Sequence, residues 1–442
     1  MSRIFKILIF LIFTLSSFDI FLNINLGGFN VRACYLLVFL FLFLYAFAYR
    51  DAGSLRFLGG AAFAGWCIFL LIFVWNSPLP NRNIGYLAWL GFNCFTCYGI
   101  YKFVRRNPAE SVIRLYLLSF FVLALAGLMQ FTLSQFGVHV LVTMWWDFER
   151  TARVNAFSYE PSYYASYLLI GFVFLYLSQR QKIFYFSRKF QILILASLVT
   201  AIFLSTSRMG ILFMLSILSY DFIRMIFRAI TTFRISLLNF VISMLLLLSL
   251  AGVITRILLD DELRVRYLAG TGLESTAAHS REVRQEQVLN VWKIFAKSPV
   301  VGYSLGGIAP NIALMNRVVP RTVEECKDFE GLNVLLEVLA ASGIIGFPFF
   351  AFWLFQLFYA GFGLAGKLKK QSFHRESVIL YGLCAALITE LLILSFSQNI
   401  LRPYLWILIG LINAFYFRFR LLLQEMDTQN PETLLQEIPP HE

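Results

Sequence analysis

Apolar runs of about 18 residues or more recur along the whole chain, separated by short polar connections. Each is about the length a helix needs to cross a hydrocarbon core of about 30 Å. The pattern predicts about twelve spans, near 5–26, 31–49, 57–75, 84–104, 112–135, 161–179, 190–205, 209–227, 235–257, 333–360, 377–396 and 403–420. A spanning segment must satisfy its own backbone hydrogen bonds, and these runs are far longer than barrel strands, so the spans are expected to be helices. The expected fold is an all-α polytopic membrane protein. Residues 1–257 carry nine spans, 258–332 form a large extracytoplasmic loop with an amphipathic helix, 333–420 carry three more spans, and 421–442 form a cytoplasmic tail. The first run is continuous with the others and lacks a small-residue cleavage site, so it is expected to be helix one and not a removable signal.

Composition strengthens this picture. Of 442 residues 59% are hydrophobic and 14% charged, with a mean hydropathy of +0.73, which excludes an ordinary soluble domain. The net charge of +12 is explained mainly by topology. Arg3 and Lys6, Arg50 and Arg56, Lys102 with Arg105 and Arg106, Arg180 to Lys189, Arg224 to Arg234, Lys367 to Arg375, and Arg418 with Arg420 fall in alternate connections. That positive-inside pattern puts both termini in the cytoplasm and calls for no nucleic-acid partner; some of the charge can meet anionic membrane lipids. Of the six cysteines, Cys94 and Cys97 form a C-x-x-C, read as small packing residues inside an apolar helix, and no cysteine or histidine set has metal-site spacing.

Against that bias, Arg153, Arg208, Arg281, Arg284 and Arg402 map to the outer face. In the large loop, 280–297 has helical apolar spacing through Val288, Val291, Trp292 and Phe295, with Ser280 a candidate cap and Ser298–Pro299 a stop. Arg281 and Arg284 then sit in the first turn, where the helix dipole disfavours cations unless an anion is bound; pairing with Glu282 and Glu286 is the structural alternative. The STSR connection joins two short predicted helices and places Arg208 in an outward recess, or else snorkelling to head groups. Glu160 precedes Pro161 at a helix start. It is either a cap paired with Arg153 or a general base. SQNILRP brings Gln398, Asn399 and Arg402 to the same face.

Several arginine forks at the outer face, with no metal site, suit a phosphate or diphosphate carried on a lipid. They would stabilise charge developing on a diphosphate leaving group.

The segments SREVRQEQVLNVWKIFAKSPVVGYSLGG and GLNVLLEVLAASGIIG resemble the signature of the bacterial O-antigen ligase and polymerase superfamily, as do STSRMG and the Arg153 to Ser162 stretch. The resemblance implies a GT-C-like inverting glycosyltransferase of the bacterial inner membrane, with a periplasmic site and no metal or cofactor. Its donor and acceptor would be undecaprenyl-diphosphate-linked glycans. A chain-length regulator and a flippase are the implied partners. Arg281 would grip the diphosphate, with Arg208 and Arg153 as further contacts. Glu160 is the first candidate base, Glu330 the second and His279 the third, while Asn333 and Glu337 organise the junction between loop and helix. Leu332 stands where ligases of the superfamily carry a histidine before the asparagine, which favours a Wzy-type repeat-unit polymerase over a lipid A-core ligase.

A transporter is the competing reading from another class; it would use buried charges such as Asp19, Arg114 and Glu390. A scaffold role in a polysaccharide assembly complex would leave the arginines without chemistry.

Overall fold

The computed structural model describes residues 3–26, 29–49, 56–147, 151–232, 252, 255–256, 258–261, 278–396 and 400–429. Among these residues the chain is helical apart from two short hairpins. The helices are α1 (Arg3–Leu15), α2 (Ala33–Tyr49), α3 (Gly60–Ile72), α4 (Pro80–Arg106), α5 (Ala109–Gln135), α6 (Pro161–Arg180), α7 (Arg188–Leu204), α8 (Arg208–Thr232), α9 (Ala278–Lys297), α10 (Ile308–Met315), α11 (Val334–Lys370), α12 (His374–Leu394) and α13 (Pro403–Gln429). A 3-10 turn spans Glu324–Phe329.

Five of these helices, α5, α6, α11, α12 and α13, are long and apolar enough to cross a membrane, which gives the chain the character of a multi-pass membrane protein. The outward faces agree. Phe43, Phe47, Phe355 and Tyr359 stay more than half exposed on their helices, a burden that a lipid solvent would relieve. Buried large side chains, including Trp66, Trp353 and Trp406, fill the interior between α3, α11 and α13.

The first expected span needs correction. The apolar run 5–26 does not continue as one helix: α1 stops at Leu15, and the chain then forms an antiparallel hairpin, β1 (Asn23–Leu26) with β2 (Phe29–Arg32), before α2 starts. Asp19, Asn23 and Asn25 supply the polar, turn-forming chemistry that hydropathy averaging over the run concealed, and Asn30 follows on the return strand. A second hairpin, β3 (Trp145–Asp147) with β4 (Thr151–Ala152), lies in the connection between α5 and α6. The predicted span 235–257 falls almost wholly outside the described residues.

The large loop also differs in detail. Helix α9 begins at Ala278, so Ser280 lies within it and not at its cap, and Arg284 lies in the second turn. Its buried side is Asn290, Val291 and Ile294, whereas Trp292 points outward at 53% exposure. The helix ends at Lys297, before Ser298–Pro299, as the sequence predicts. Helix α8, at 25 residues, is not short, so a pair of abbreviated helices does not account for the position of Arg208.

Two segments singled out in the sequence are one packing unit. Near its N-terminal end α11 is broken at Gly343, which adopts φ 60° and ψ −174°. A break of this kind leaves amides and carbonyls without helical partners, which is unfavourable at membrane depth unless protein supplies substitutes. The 299–304 segment supplies them. Ile344 N–H and Ile345 N–H donate to the carbonyls of Pro299 and Val300 (2.8 and 3.3 Å), while Tyr303 N–H and Ser304 N–H donate to Ala340 and Ala341 (3.2 and 2.8 Å). Gly302, at φ 70°, lies so close to the Ala341 carbonyl that a Cβ would collide with it. Trp66 Nε1 donates to Ser342 Oγ at 2.8 Å and Asn76 Nδ2 donates to Gly302 O at 2.6 Å, fixing this re-entrant turn to α3 and its following loop.

The alternating direction of the helices gathers the two kinds of connection at opposite ends. At one end, Glu110 accepts from both Arg114 and Arg375, and Arg106 stacks on Tyr49 while donating to Tyr45. At the other end lie the 16–32 hairpin region, the 73–79 connection, the 136–160 segment, the start of α8, the 298–333 loop and the start of α13.

Candidate functional site

A recess of about 250 Å³ opens at that second end. It is built by elements far apart in sequence: the end of α1 and β2, the first turns of α4, the start of α6, the turn before Glu330, and the residues entering α13. Its charged lining is Arg32, Arg82, Lys327 and Arg402 with Asp19 and Glu330, four cations against two carboxylates and therefore a surplus of two positive charges. Tyr35, Tyr86, Tyr159, Tyr163 and Trp89 supply the aromatic wall.

One carboxylate holds two of the guanidinium groups. Asp19 accepts from Arg32 Nη2 at 2.6 Å and from Arg402 Nη1 at 3.0 and 3.1 Å. Arg402, 6% exposed, also lies over the Tyr163 ring at 3.6 Å. Burial pushes its pKa down, but Asp19 acting together with Tyr163, Tyr404 and Glu160 outweighs that effect and the pKa is raised. Tyr35 O–H donates to Asn93 Oδ1, and Asn93 Nδ2 donates to Leu401 O, so the backbone beside Arg402 is fixed by α2 and α4.

Glu330 and Arg82 form the other half. Arg82, 2% exposed, donates from Nη1 to Gly306 O at 2.6 Å and from Nη2 to Tyr86 O–H at 2.7 Å and to Glu330. Tyr86 follows Arg82 by one helical turn, so its ring meets the guanidinium at 4.6 Å, and its hydroxyl donates to Glu330 at 3.2 Å. The neighbouring Asn83 donates to Val74 O and Tyr303 O, which ties the first turn of α4 to the same re-entrant turn that repairs the break in α11.

These ion pairs leave donors over. Arg32 Nη1, Arg82 Nε and Arg402 Nε are buried without a hydrogen-bond partner among the described residues. Buried guanidinium donors are normally satisfied, and three on one recess, in a region with surplus positive charge, suit an anion bearing several acceptor oxygens.

The expected site residues are divided by the tertiary structure. Arg402 and Glu330 line the recess. Glu160 stands at the N-cap position of α6, makes no cap hydrogen bond with its side chain, and accepts from Ser162 Oγ at 2.8 Å; it does not line the recess. Arg153 donates from Nε to Thr206 Oγ1 at 2.7 Å, and Val154 N–H donates to Leu204 O, so Arg153 joins the 153–160 segment to the turn between α7 and α8. Arg208 opens α8 just beyond that turn and is half-buried. Neither arginine lines the recess.

His279, Arg281 and Arg284 lie on α9, but their side chains are outside what is described, and Gln398 and Asn399 lie outside the described residues altogether. Asn333 caps α11, its Oδ1 accepting from Leu336 N–H at 3.0 Å. Glu337 follows on the first turn, and a Cβ at Gly331 would strike its carboxylate. Both therefore shape the junction between the loop and α11.

Sequence reasoning passed over Arg32, Arg82 and Lys327, and weighed Asp19 only as an intramembrane charge. A usable signal existed. The expected threading puts Arg32 and Arg82 too at the outer ends of spans, the argument that selected Arg153 and Arg402, and Arg82 carries an aromatic residue one turn on. The cysteines form no disulfide: all six are free thiols, and Cys97 Sγ donates to Trp406 O. No protein-family model matches this chain, and no curated protein matches it in sequence.

Proposed function

We propose that this protein is a metal-independent membrane glycosyltransferase that joins lipid-diphosphate-linked oligosaccharide repeat units, a polymerase of the O-antigen or exopolysaccharide type. It would work in the bacterial inner membrane, with about twelve spans, both termini cytoplasmic and the recess facing the periplasm. The observation that carries this reading is the recess lined by Arg32, Arg82, Lys327 and Arg402, with a surplus of positive charge and three buried guanidinium donors unpaired. Its volume lies just under the usual range of about 300–1,000 Å³ for ligand pockets, and suits a compact anionic group better than a whole glycan.

In the proposed reaction the diphosphate of the donor lipid occupies this recess. The acceptor hydroxyl oxygen attacks the anomeric carbon of the donor sugar, and the bond from that carbon to the diphosphate oxygen breaks. The electron pair leaves with the diphosphate, whose growing charge meets the prearranged guanidinium groups and Lys327. Glu330 takes the acceptor proton. It lines the recess, whereas Glu160 does not, so the order of the two candidate bases is reversed. A single displacement inverts the anomeric centre. Arg153, Arg208, Arg281 and Arg284 remain candidate contacts for the more distant parts of the lipid-linked substrates.

The test is incubation of purified protein with defined undecaprenyl-diphosphate oligosaccharides, without an energy source, followed by sizing of the products. Stepwise lengthening is expected, with none from Arg82→Ala at equal folded yield. Unchanged substrate with the folded wild-type protein, or full activity in the variant, would remove the reading.

A further inference from the structure

On the far side of Glu330 lies a second recess, of about 270 Å³, with opposite chemistry. Helix α9 contributes Glu286, Gln287 and Asn290, α10 is followed by Asn316, and the 3-10 turn ends in Asp328 and Phe329 before Glu330 itself. The described lining has three carboxylates and three carboxamides and no cation. A diphosphate would be repelled here. A chain of neutral or amino-bearing hydroxylated rings would not, since carboxylates accept from hydroxyls while amides both donate and accept.

A second observation at this wall points to a ligand. Asn290 is 8% exposed, lines the recess, and its amide makes no hydrogen bond with any described residue. The polar atoms of this amide open onto the recess and are not sealed within the fold, so a ligand there can meet both its donor and its acceptor. Asn316 spends only its Nδ2 on Ile312 O at 3.1 Å, leaving its carbonyl oxygen for a donor. Phe329 offers an apolar face against which a pyranose ring can lie.

We propose that this second recess binds the acceptor glycan, with Glu330 as the shared wall between the acceptor hydroxyl and the diphosphate of the donor. The assignment rests on the glycosyltransferase reading for its substrate class. It makes Asn290, Gln287 and Asn316 acceptor-specificity residues. It also explains why Glu330 is held by Arg82 and Tyr86 from one side only: the other side faces the hydroxyl it must deprotonate.

The purified full-length protein is tested against an array of soluble, lipid-free bacterial oligosaccharides, and separately for binding of inorganic pyrophosphate. The expected result is retention of a subset of glycans that pyrophosphate does not displace. That retention falls at least tenfold in Asn290→Leu and in Gln287→Ala, while pyrophosphate binding is unchanged in both. Gln287 is only half-buried and makes no hydrogen bond among the described residues, so its variant decides the matter if Asn290→Leu folds poorly. No retained glycan, or equal retention by Gln287→Ala and wild type, overturns the proposal. Glycan binding without any pyrophosphate binding would leave this recess assigned and instead remove the lipid-diphosphate reading.

Discussion

Asp19 and Arg402 meet across 383 positions of sequence, the carboxylate just beyond the first helix taking Nη1 of the guanidinium at 3.0 and 3.1 Å immediately before the last helix. The contact closes the bundle at its recessed end and fixes where a cation can stand. Since the same carboxylate takes Arg32, it is the hub on which half of the positive lining depends.

Asp19→Asn keeps the shape of this hub and removes its charge, leaving two largely buried guanidinium groups uncompensated. Stripping one partner from a buried ion pair costs about 3–5 kcal/mol. A clear fall in the thermal unfolding midpoint of the detergent-solubilised protein is expected. Combined with Arg402→Met, the loss should be smaller than the sum of the two single losses, by about 0.5–3 kcal/mol. Strict additivity would show that the pair carries no coupling.

Arg82→Lys tests the fork and not the charge. A lysine keeps the positive charge but cannot donate at once to Gly306 O, Tyr86 and Glu330 while presenting a further N–H to the recess. Each hydrogen bond to a charged group is worth about 1.5–3 kcal/mol. Pyrophosphate affinity, read by calorimetry, is therefore expected to fall about tenfold to a hundredfold, with folding retained. An affinity equal to wild type would place the anion elsewhere.

Gly343→Ala should be severely destabilising. The residue has φ 60°, and an added Cβ would drive into the Val300 carbonyl. Gly363 lies in the same helix with open space around it, so Gly363→Ala is the matched control, and is expected to be neutral or stabilising by about 0.5–1 kcal/mol. Folded yield by size-exclusion chromatography separates the two. Equal yields would mean that the turn at 299–304 does not depend on the break.

Sidedness can be read with single cysteines in a background whose native thiols are replaced. Lys327→Cys, at the rim of the recess, should react with a membrane-impermeant maleimide on intact spheroplasts. His374→Cys, exposed at the opposite end, should react only after permeabilisation. Labelling of both from outside would contradict a recess and an arginine-rich end on opposite faces.

The boundaries of most helices were legible from hydropathy alone, because a lipid-spanning helix must carry its apolar character locally, whatever it packs against. Helices α5, α6, α12 and α13 fall close to the apolar runs that predict them. The failures are local and physical. Averaging over residues 5–26 hid Asp19, Asn23 and Asn25, which lie where the helix has ended and the chain turns back as a hairpin. Of the expected residues, Arg402, selected by its place in the expected threading, and Glu330, the second candidate base, line the recess.

By itself, then, the sequence determined a multi-pass helical chain, its alternating charge pattern and the arginines that break that alternation. Those properties follow from each segment's own exchange with lipid or water. Only the tertiary structure decided which of those arginines share a cavity, since Arg32, Arg82 and Arg402 converge through contacts between α2, α4 and α13 while Arg153 is drawn off to Thr206. A guanidinium can be satisfied by any acceptor that packing delivers, so its partner is a property of the assembled bundle and not of its neighbours along the chain.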